Sequence, residues 1–257
     1  MTGNLGPRLA VALGLLVALA GSAVSPAVAA ADARAKGPDG LVLRYGFEGI
    51  GNGVVRDLSG NGLDGRVINA DAAGLQAPST PTRGVAIALH GAEHQYVDVP
   101  LEPPLDVNHF TLSAWVRYTG VENDATGGRW EVLEKAASYW VNIRTNGLVR
   151  VGGFFGGCEG PGVWQFLDSA EPVGPGVWTH VTGTYDGQTL SVYLDGELSS
   201  SRAVSGTTCI SGEPLAIGAK NNPSKGLLEA FWDGRLDDVR IYDRALTPAE
   251  ITDLAGR

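Results

Sequence analysis

The segment HGAEH, residues 90–94, has the H-x-x-E-H spacing of a zinc protease. In such a site one helical turn places both imidazoles on the same face, with the glutamate beside the metal-bound water. Here the flanking residues alternate between apolar and polar, are interrupted by Gly91 and end at Pro100. This pattern predicts two strands joined by a turn. We therefore expect a β-hairpin at this position rather than a zinc site.

Carboxylate pairs are a second possible chemistry, because glycosidases hold two carboxyl groups about 5 to 9.5 Å apart around the scissile bond. Asp237 and Asp238 are adjacent in a predicted strand, so they point to opposite faces and cannot form such a pair alone. Glu122 and Asp124 lie in a polar loop. No strand carries acids in an E-x-D-x-x-E arrangement, so an enzyme would have to assemble its acids from scattered positions.

One predicted strand offers a surface on which a sugar could bind. Within residues 139–144, Trp140, Asn142 and Arg144 alternate with apolar residues, so an indole, an amide and a guanidinium share one face. We expect Arg150 to join them from the next strand. Sugar rings stack on aromatic faces while polar neighbours bond their hydroxyl groups, so these four residues are the candidate ligand-binding site. The alternative is that Trp140 belongs to the core. Two further aromatic residues in a loop-rich stretch are expected to border this surface: Trp164 and Phe166.

Short alternating segments separated by glycine-rich turns recur along the chain, which contains 37 glycines. The pattern predicts an all-β antiparallel fold. The predicted strands cover residues 41–47, 85–89, 95–99, 110–117, 130–135, 139–144, 148–154, 178–185, 190–195, 214–218 and 234–242. A single short helix is expected at the C-terminal end, where Thr247, Pro248 and Glu250 match an N-cap, an N1 proline and the N3 acid of a capping box.

Four motifs in sequence order carry a family resemblance. WTHVTGTYDG at 178–187, followed by LSVYLDG at 190–196, resembles the W-x-H-V-x-x-T-Y-D-G…L-x-x-Y-x-D-G signature of laminin G-like domains. The segments at 57–62, 110–115 and 234–248 stand in the same order as in that family. The resemblance covers residues 41–255 and implies a concanavalin A-like jelly roll, a sandwich of two antiparallel sheets. This fold hosts lectin-like binding, adhesion and some glycan-cleaving enzymes, so it does not select a function by itself.

The loop DLSGNG, residues 57–62, begins like an EF-hand calcium loop, with oxygen-bearing side chains at positions one, three and five and glycine at six. It lacks the glutamate at position twelve. The resemblance implies that the missing ligands come from the C-terminal strand. We therefore hypothesise a structural Ca²⁺ held by Asp57, Asn61 and Asp238, with Glu48 as a further candidate. The alternative is an Asx-turn loop without metal.

The N-terminus is typical of a secretory signal peptide. Residues 1–29 contain one cation, Arg8, then an apolar run over 9–20 and small residues before a cleavage point near residue 30. The run is too short to span a bilayer, which needs about 20 residues. We expect a secreted, extracellular protein with a linker over 30–40 and a single laminin G-like domain over 41–257.

Charge and cysteine content narrow the possible partners. The chain has 19 Lys and Arg against 28 Asp and Glu, a net charge of −9, which disfavours nucleic acid and anionic membranes as partners. Cys158 and Cys209 are the two cysteines, and in a chain bound for an oxidising compartment they predict one disulfide bond. Two free thiols are the alternative.

These observations together predict a non-catalytic binding or adhesion module for extracellular carbohydrate or glycoprotein, with no membrane span and no nucleic acid partner. The alternatives are a glycan-active enzyme of the same fold, a glycoside hydrolase or lyase, and a purely structural surface protein. An acid pair on the concave face would favour the enzyme, whereas clustered exposed aromatic residues would favour the lectin.

Overall fold

The computed structural model describes Met1, Gly3 and the ranges 38–70, 75–79, 84–121, 128–158 and 162–256. Apart from Met1 and Gly3, the predicted signal peptide lies outside the described residues, as do most of the predicted linker, Glu122 and Asp124. None of the helices in the described ranges is long and apolar enough to cross a membrane.

The described chain consists of strands, three-residue 3-10 turns and one short α-helix. The strands are β1 (Leu41–Tyr45), β2 (Val54–Val55), β3 (Gly65–Ile68), β4 (Gln76–Pro78), β5 (Val85–Leu89), β6 (Tyr96–Val99), β7 (Phe110–Tyr118), β8 (Arg129–Lys135), β9 (Tyr139–Arg144), β10 (Val149–Phe155), β11 (Val163–Asp168), β12 (Thr179–Tyr185), β13 (Thr189–Leu194), β14 (Glu197–Ala203), β15 (Leu215–Ile217), β16 (Lys220–Asn222), β17 (Leu227–Glu229) and β18 (Gly234–Tyr242), and the helix is α1 (Pro248–Leu254).

The strands form two large sheets and one small hairpin. The first sheet has the order β14-β13-β12-β7-β18-β5-β4, and β1 also pairs with β18. The second has the order β11-β10-β9-β8-β15-β6-β3-β2, and β16 and β17 pair separately. All strand pairings in the described chain are antiparallel. The predicted all-β, two-sheet antiparallel jelly-roll sandwich with a short C-terminal helix is therefore confirmed.

Strand alternation separates the core from the outer faces. In β13, Leu190 and Val192 are fully buried in the large core cluster between the sheets, because residues two apart share a face. Tyr193 points the other way and packs with Ile251 of α1 in a separate apolar cluster. The helix begins as predicted: the Thr247 hydroxyl accepts a hydrogen bond from the Glu250 N–H, and the Glu250 carboxylate accepts one from the Thr247 N–H.

The prediction of a β-hairpin around residues 90–94 is wrong, because the two strands lie in different sheets. Strand β5 pairs with β18 and β4 in the first sheet, whereas β6 pairs with β15 and β3 in the second. The chain crosses between the sheets through a 3-10 turn, Gly91–Glu93. Alternation reports which side of a strand is buried but does not identify its partner strand, so it could not distinguish a hairpin from a crossover. His90 is exposed and His94 stacks on the Phe231 ring, with 4.7 Å between ring centroids, so no helix aligns the two imidazoles.

The predicted disulfide between Cys158 and Cys209 is present. It connects the loop between β10 and β11 to the segment that precedes β15. Thr208, next to Cys209, forms an isolated bridge with Phe155 of β10, so the disulfide lies beside the second sheet.

Candidate functional site

A cleft of about 720 Å³ lies on the second sheet. Three strands form its floor, and their apolar residues point into the core between the sheets. The floor residues are Arg129, Glu131 and Glu134 of β8, Trp140, Asn142 and Arg144 of β9, and Arg150 of β10. The cleft is further lined by Trp164 and Phe166 of β11, by the disulfide, by residues 210–213, and by β16 with the first residues of its turn to β17. The cleft therefore opens on the face of the sheet that is turned away from the first sheet. Its volume is typical of a small-molecule binding site.

All four predicted ligand-binding residues line this cleft: Trp140, Asn142, Arg144 and Arg150. Strands β9 and β10 pair so that Arg150 lies opposite Asn142, so Arg150 joins the same face from the next strand, as expected from the sequence. The structure thus brings the predicted set together on one surface, and ligand binding by them stays a prediction.

Trp140 forms an aromatic surface together with two residues of β11. Its indole lies against Gly152 of β10 so closely that a Cβ atom added to this glycine would be 2.3 Å from Trp140 Cζ2. The Trp140 and Trp164 rings are 5.3 Å apart between centroids, within the range of favourable aromatic pairs. Trp164 and Phe166 are 54% and 42% exposed. They lie on an edge strand rather than in the predicted loop-rich stretch, and both line the cleft.

Strand β8 contributes two carboxylates that the sequence did not reveal. Glu131 and Glu134 are three residues apart, a spacing that would put them on opposite faces of a regular strand. The register between β8 and β9 shifts between Glu131 and Leu133, so one extra residue is accommodated there. Val132 and Leu133 are both fully buried in the core, and both glutamates line the cleft. The bulge therefore places the two acids on the same face.

Both carboxyl groups are almost completely buried, and burial changes their chemistry. Loss of solvation raises the pKa of Glu131 to about 7, against the opposing influence of Arg129 and of a hydrogen bond from Asn142. Burial and then the negative charge of Glu131 raise the pKa of Glu134 to about 9. At neutral pH Glu134 is therefore protonated and able to donate a hydrogen bond, whereas Glu131, which pairs with Arg129, ionises the more readily of the two.

Two buried polar atoms in the cleft have no hydrogen-bond partner among the described residues: Glu134 Oε2 and Asn142 Oδ1. The Asn142 amide nitrogen is occupied, since it donates to both carboxylate oxygens of Glu131 at 3.3 Å. Leaving a buried polar atom unpaired costs about 1–3 kcal/mol. The floor of the cleft thus presents a protonated carboxyl and an amide oxygen, a donor and an acceptor suited to hydroxyl groups.

The candidate calcium ligands are already engaged within the protein. The two Asp57 carboxylate oxygens accept hydrogen bonds from the N–H groups of Arg44, Ser59 and Leu63 and from the Ser59 hydroxyl. The Asn61 side-chain nitrogen faces the Leu41 and Val42 carbonyl oxygens.

The third candidate ligand is also engaged. Asp238 forms ion pairs with Arg44 and Arg240, at 3.2 and 2.5 Å. Nowhere in the described ranges do three His, Cys, Asp or Glu side chains group to hold a metal ion. This donor set does not fit a bound calcium ion in the arrangement seen, because the oxygen atoms of Asp57 and Asp238 face hydrogen-bond donors and two arginines, and Asn61 turns its nitrogen to carbonyl oxygens. The calcium hypothesis stays a prediction.

Comparisons with known proteins agree with the architecture. A sequence profile described as the concanavalin A-like lectin/glucanases superfamily, of the laminin G type, matches residues 91–252. No curated protein sequence matches the chain.

Three solved structures illustrate the shared fold. The binding domain of Paraclostridial mosquitocidal protein 1 is 18% identical with a TM-score of 0.62, over 84% of this chain and 52% of that one. Domain 4 of AbnA, a GH43 extracellular arabinanase from Geobacillus stearothermophilus solved in complex with arabinotriose, is 21% identical with a TM-score of 0.57, over 84% and 98%. The binding domain of botulinum neurotoxin DC in complex with SialylT is 14% identical with a TM-score of 0.60, over 85% and 51%. The chain thus spans about half of each toxin domain and nearly all of the arabinanase domain.

Proposed function

Because the chain belongs to the concanavalin A-like lectin/glucanases superfamily, we propose that it is a secreted, non-catalytic module that binds extracellular carbohydrate or glycoprotein. The cleft on the second sheet is its ligand site. Secretion is part of the proposal, supported by the predicted signal peptide and by the disulfide, since such bonds persist in oxidising compartments.

The observation that carries the proposal is the combination of an aromatic surface with unpaired polar atoms in one cleft. Trp140 and Trp164 offer ring faces for sugar rings. Next to them, Glu134 and Asn142 offer a donor and an acceptor that have no partner in the described chain. Sugars need both kinds of surface, because their rings have apolar faces and their hydroxyl groups both donate and accept hydrogen bonds.

The structural neighbours support the proposal by analogy of fold. The arabinanase domain was solved with arabinotriose bound, and one toxin binding domain with SialylT. A fold by itself does not fix function, so the argument rests on the cleft.

The test is retention on a glycan array by the wild-type chain and by W140A, in calcium and in chelator. We expect W140A to lose retention while its melting temperature stays close to wild type, because Trp140 is only partly buried on an outer face. W178A is the matched control, because Trp178 is also partly buried but does not line the cleft. Equal retention by wild type and W140A would refute the proposed site, and unfolding of W140A would place Trp140 among the structural residues.

A second candidate function, a glycan-active enzyme, is favoured by the carboxyl pair. Glu134, protonated, matches a general acid that protonates a glycosidic oxygen, and Glu131, partly ionised, matches the second carboxylate of such a pair. Release of reducing ends from any glycan that the chain retains, abolished in E131Q and in E134Q, would establish the enzyme. Retention without release would leave the binding module as the function.

A further inference from the structure

Three arginines lie at neighbouring positions of the cleft floor, and Arg150 and Arg129 act electrostatically on Arg144. Arg129 of β8 lies opposite Arg144 of β9. Arg150 of β10 lies opposite Asn142, which is two residues before Arg144 and on the same face of β9. All three arginines line the cleft. Like charges brought together in this way repel unless anions separate them.

Two of the three charges are neutralised by carboxylates. Arg150 donates to both oxygens of Asp168, at 2.6 and 2.7 Å, and its guanidinium lies 3.8 Å from the centre of the Phe166 ring. Arg129 pairs with Glu131 at 3.2 Å and with Glu229 at 3.6 Å. Each of these arginines is held in place by its partners.

The third charge, on Arg144, has no such partner. Its side chain forms no hydrogen bond and no ion pair with any residue in the described part of the chain. Burial, followed by repulsion from Arg150 and Arg129, lowers the pKa of Arg144, against the weaker opposing attraction of Asp168 and Glu131. The surroundings of Arg144 are therefore positive, and an anion placed there would relieve the repulsion.

The distance from Arg144 to the aromatic surface suits a chain of sugars. Trp140 and Arg144 are four residues apart on β9, so their Cα atoms are roughly 13 Å apart at the usual rise per residue of a strand. Asn142 lies between them on the same face. A sugar ring that stacks on Trp140 is thus more than one ring away from Arg144, so both can be contacted by one oligosaccharide.

We infer that the cleft selects an acidic glycan, in which one sugar stacks on Trp140 and a carboxylate or sulfate group on another sugar pairs with Arg144. This inference rests on the proposed carbohydrate-binding function and names its substrate class. Arginine suits the role because its planar donors match the two oxygens of a carboxylate or sulfate.

The overall negative charge of the chain determines which ligands the test should compare. The net charge of −9 repels acidic polymers at long range. A preference for acidic glycan must therefore come from local contacts at Arg144, and it is best measured with ligands that differ only in the acidic group.

The experiment compares the affinity of the full chain for polygalacturonate and for its fully methyl-esterified form, and in parallel for dextran sulfate and dextran. We expect about tenfold tighter binding to at least one acidic member than to its neutral counterpart, the size of a charge-assisted hydrogen-bonded pair. Preference in the first pair identifies a carboxylate ligand, and preference in the second a sulfate. Equal affinity within both pairs overturns the inference.

Two variants assign the preference to the arginine. R144Q is expected to bind the acidic ligand about tenfold more weakly than wild type does, and to bind the neutral ligand equally well. R144K, which keeps the positive charge, is expected to bind the acidic ligand with an affinity between those of R144Q and wild type. R66Q is the control, because Arg66 is exposed, lies on β3 of the same sheet outside the cleft, and its substitution changes the net charge equally. If R144Q and R66Q bind the acidic ligand equally, Arg144 is not the determinant.

The W140A variant separates this inference from the function on which it rests. If wild type binds neutral glycans through Trp140 but shows no preference for acidic ones, the inference fails and the binding function stands. If wild type retains neither kind of glycan, both fail. If W140A and R144Q each weaken binding of the same acidic glycan, both hold.

Discussion

At the scale of single residues, the aromatic surface of the cleft depends on the missing side chain of Gly152. A Cβ atom at this position would lie 2.3 Å from Trp140 Cζ2 and 2.7 Å from the Gln165 carbonyl oxygen of β11. We predict that G152A displaces the indole and weakens glycan retention. We also expect the free energy of unfolding to fall by about 1–3 kcal/mol, as for other overpacked sites. Denaturant unfolding and glycan retention measure the two effects.

A second glycine of the cleft provides the control for this prediction. An added Cβ at Gly212 meets no atom within 4 Å, and this glycine also lines the cleft. G212A should therefore unfold within about 0.5 kcal/mol of wild type. A G152A protein that matches G212A in both stability and retention would contradict the proposed packing of Trp140.

The buried carboxyl group of Glu134 links stability to pH. Its pKa is about 9 in the folded protein and 4.5 ordinarily, so between these values the folded state binds more protons than the unfolded state. The stabilising contribution is complete below pH 4.5 and is lost as pH rises through 9. In the wild type, this group should lower the free energy of unfolding by up to about 1.4 kcal/mol for each pH unit in this interval. We predict that E134Q lacks this contribution to the decline, because its neutral amide resembles the protonated acid at every pH.

Denaturant unfolding at pH 5, 7 and 9 measures that decline. E171Q is the comparison variant, because Glu171 is exposed and lies outside the cleft. It should show the wild-type slope. An E134Q slope as steep as that of wild type and E171Q would mean that Glu134 is ionised in the folded protein.

At the scale of elements, the length of a strand and the presence of a buried apolar face explain whether the sequence predicted it. Strands with a buried apolar face, such as β5, β7, β9 and β18, were predicted within one or two residues. Seven described strands were not predicted: β2, β3, β4, β11, β14, β16 and β17. Five of them are only two to four residues long, and the other two, β11 and β14, lie at sheet edges and have no fully buried face. Their position is set by pairing with a neighbour, which local alternation does not report.

The candidate site was predicted from the sequence only where the strand is regular. In β9 strict alternation placed Trp140, Asn142 and Arg144 on one face, and the structure agrees. In β8 the bulge changes the alternation, so Glu131 and Glu134 were not recognised as a pair. The one available signal was the apolar pair between them, residues 132–133, because two consecutive buried residues flanked by acids indicate an extra residue in the strand.

The loop over residues 57–62 provides a prediction about calcium. Its conformation is held by hydrogen bonds to Asp57 and by the ion pairs of Asp238, so a calcium ion would have to displace Arg44 and Arg240. We therefore expect the same melting temperature in calcium and in chelator. A melting temperature that rises with calcium and falls again with chelator would support the calcium hypothesis, because a ligand that binds the folded state stabilises it by mass action.

At the scale of the whole molecule, the disulfide closes a long stretch of chain and acts mainly on the unfolded state. The bonded cysteines are 51 residues apart, which corresponds to roughly 4 kcal/mol of stabilisation through chain entropy. We predict that the double variant C158S/C209S loses about this much free energy of unfolding, measured by denaturant. It should still bind glycan well below its melting temperature, because backbone hydrogen bonds from Cys209 to Phe154 and from Gly156 to Thr207, each 2.9 Å, hold the same side of the cleft. Reduced wild type should behave like the double variant. Loss of glycan binding with unchanged stability would show instead that the bond shapes the folded cleft.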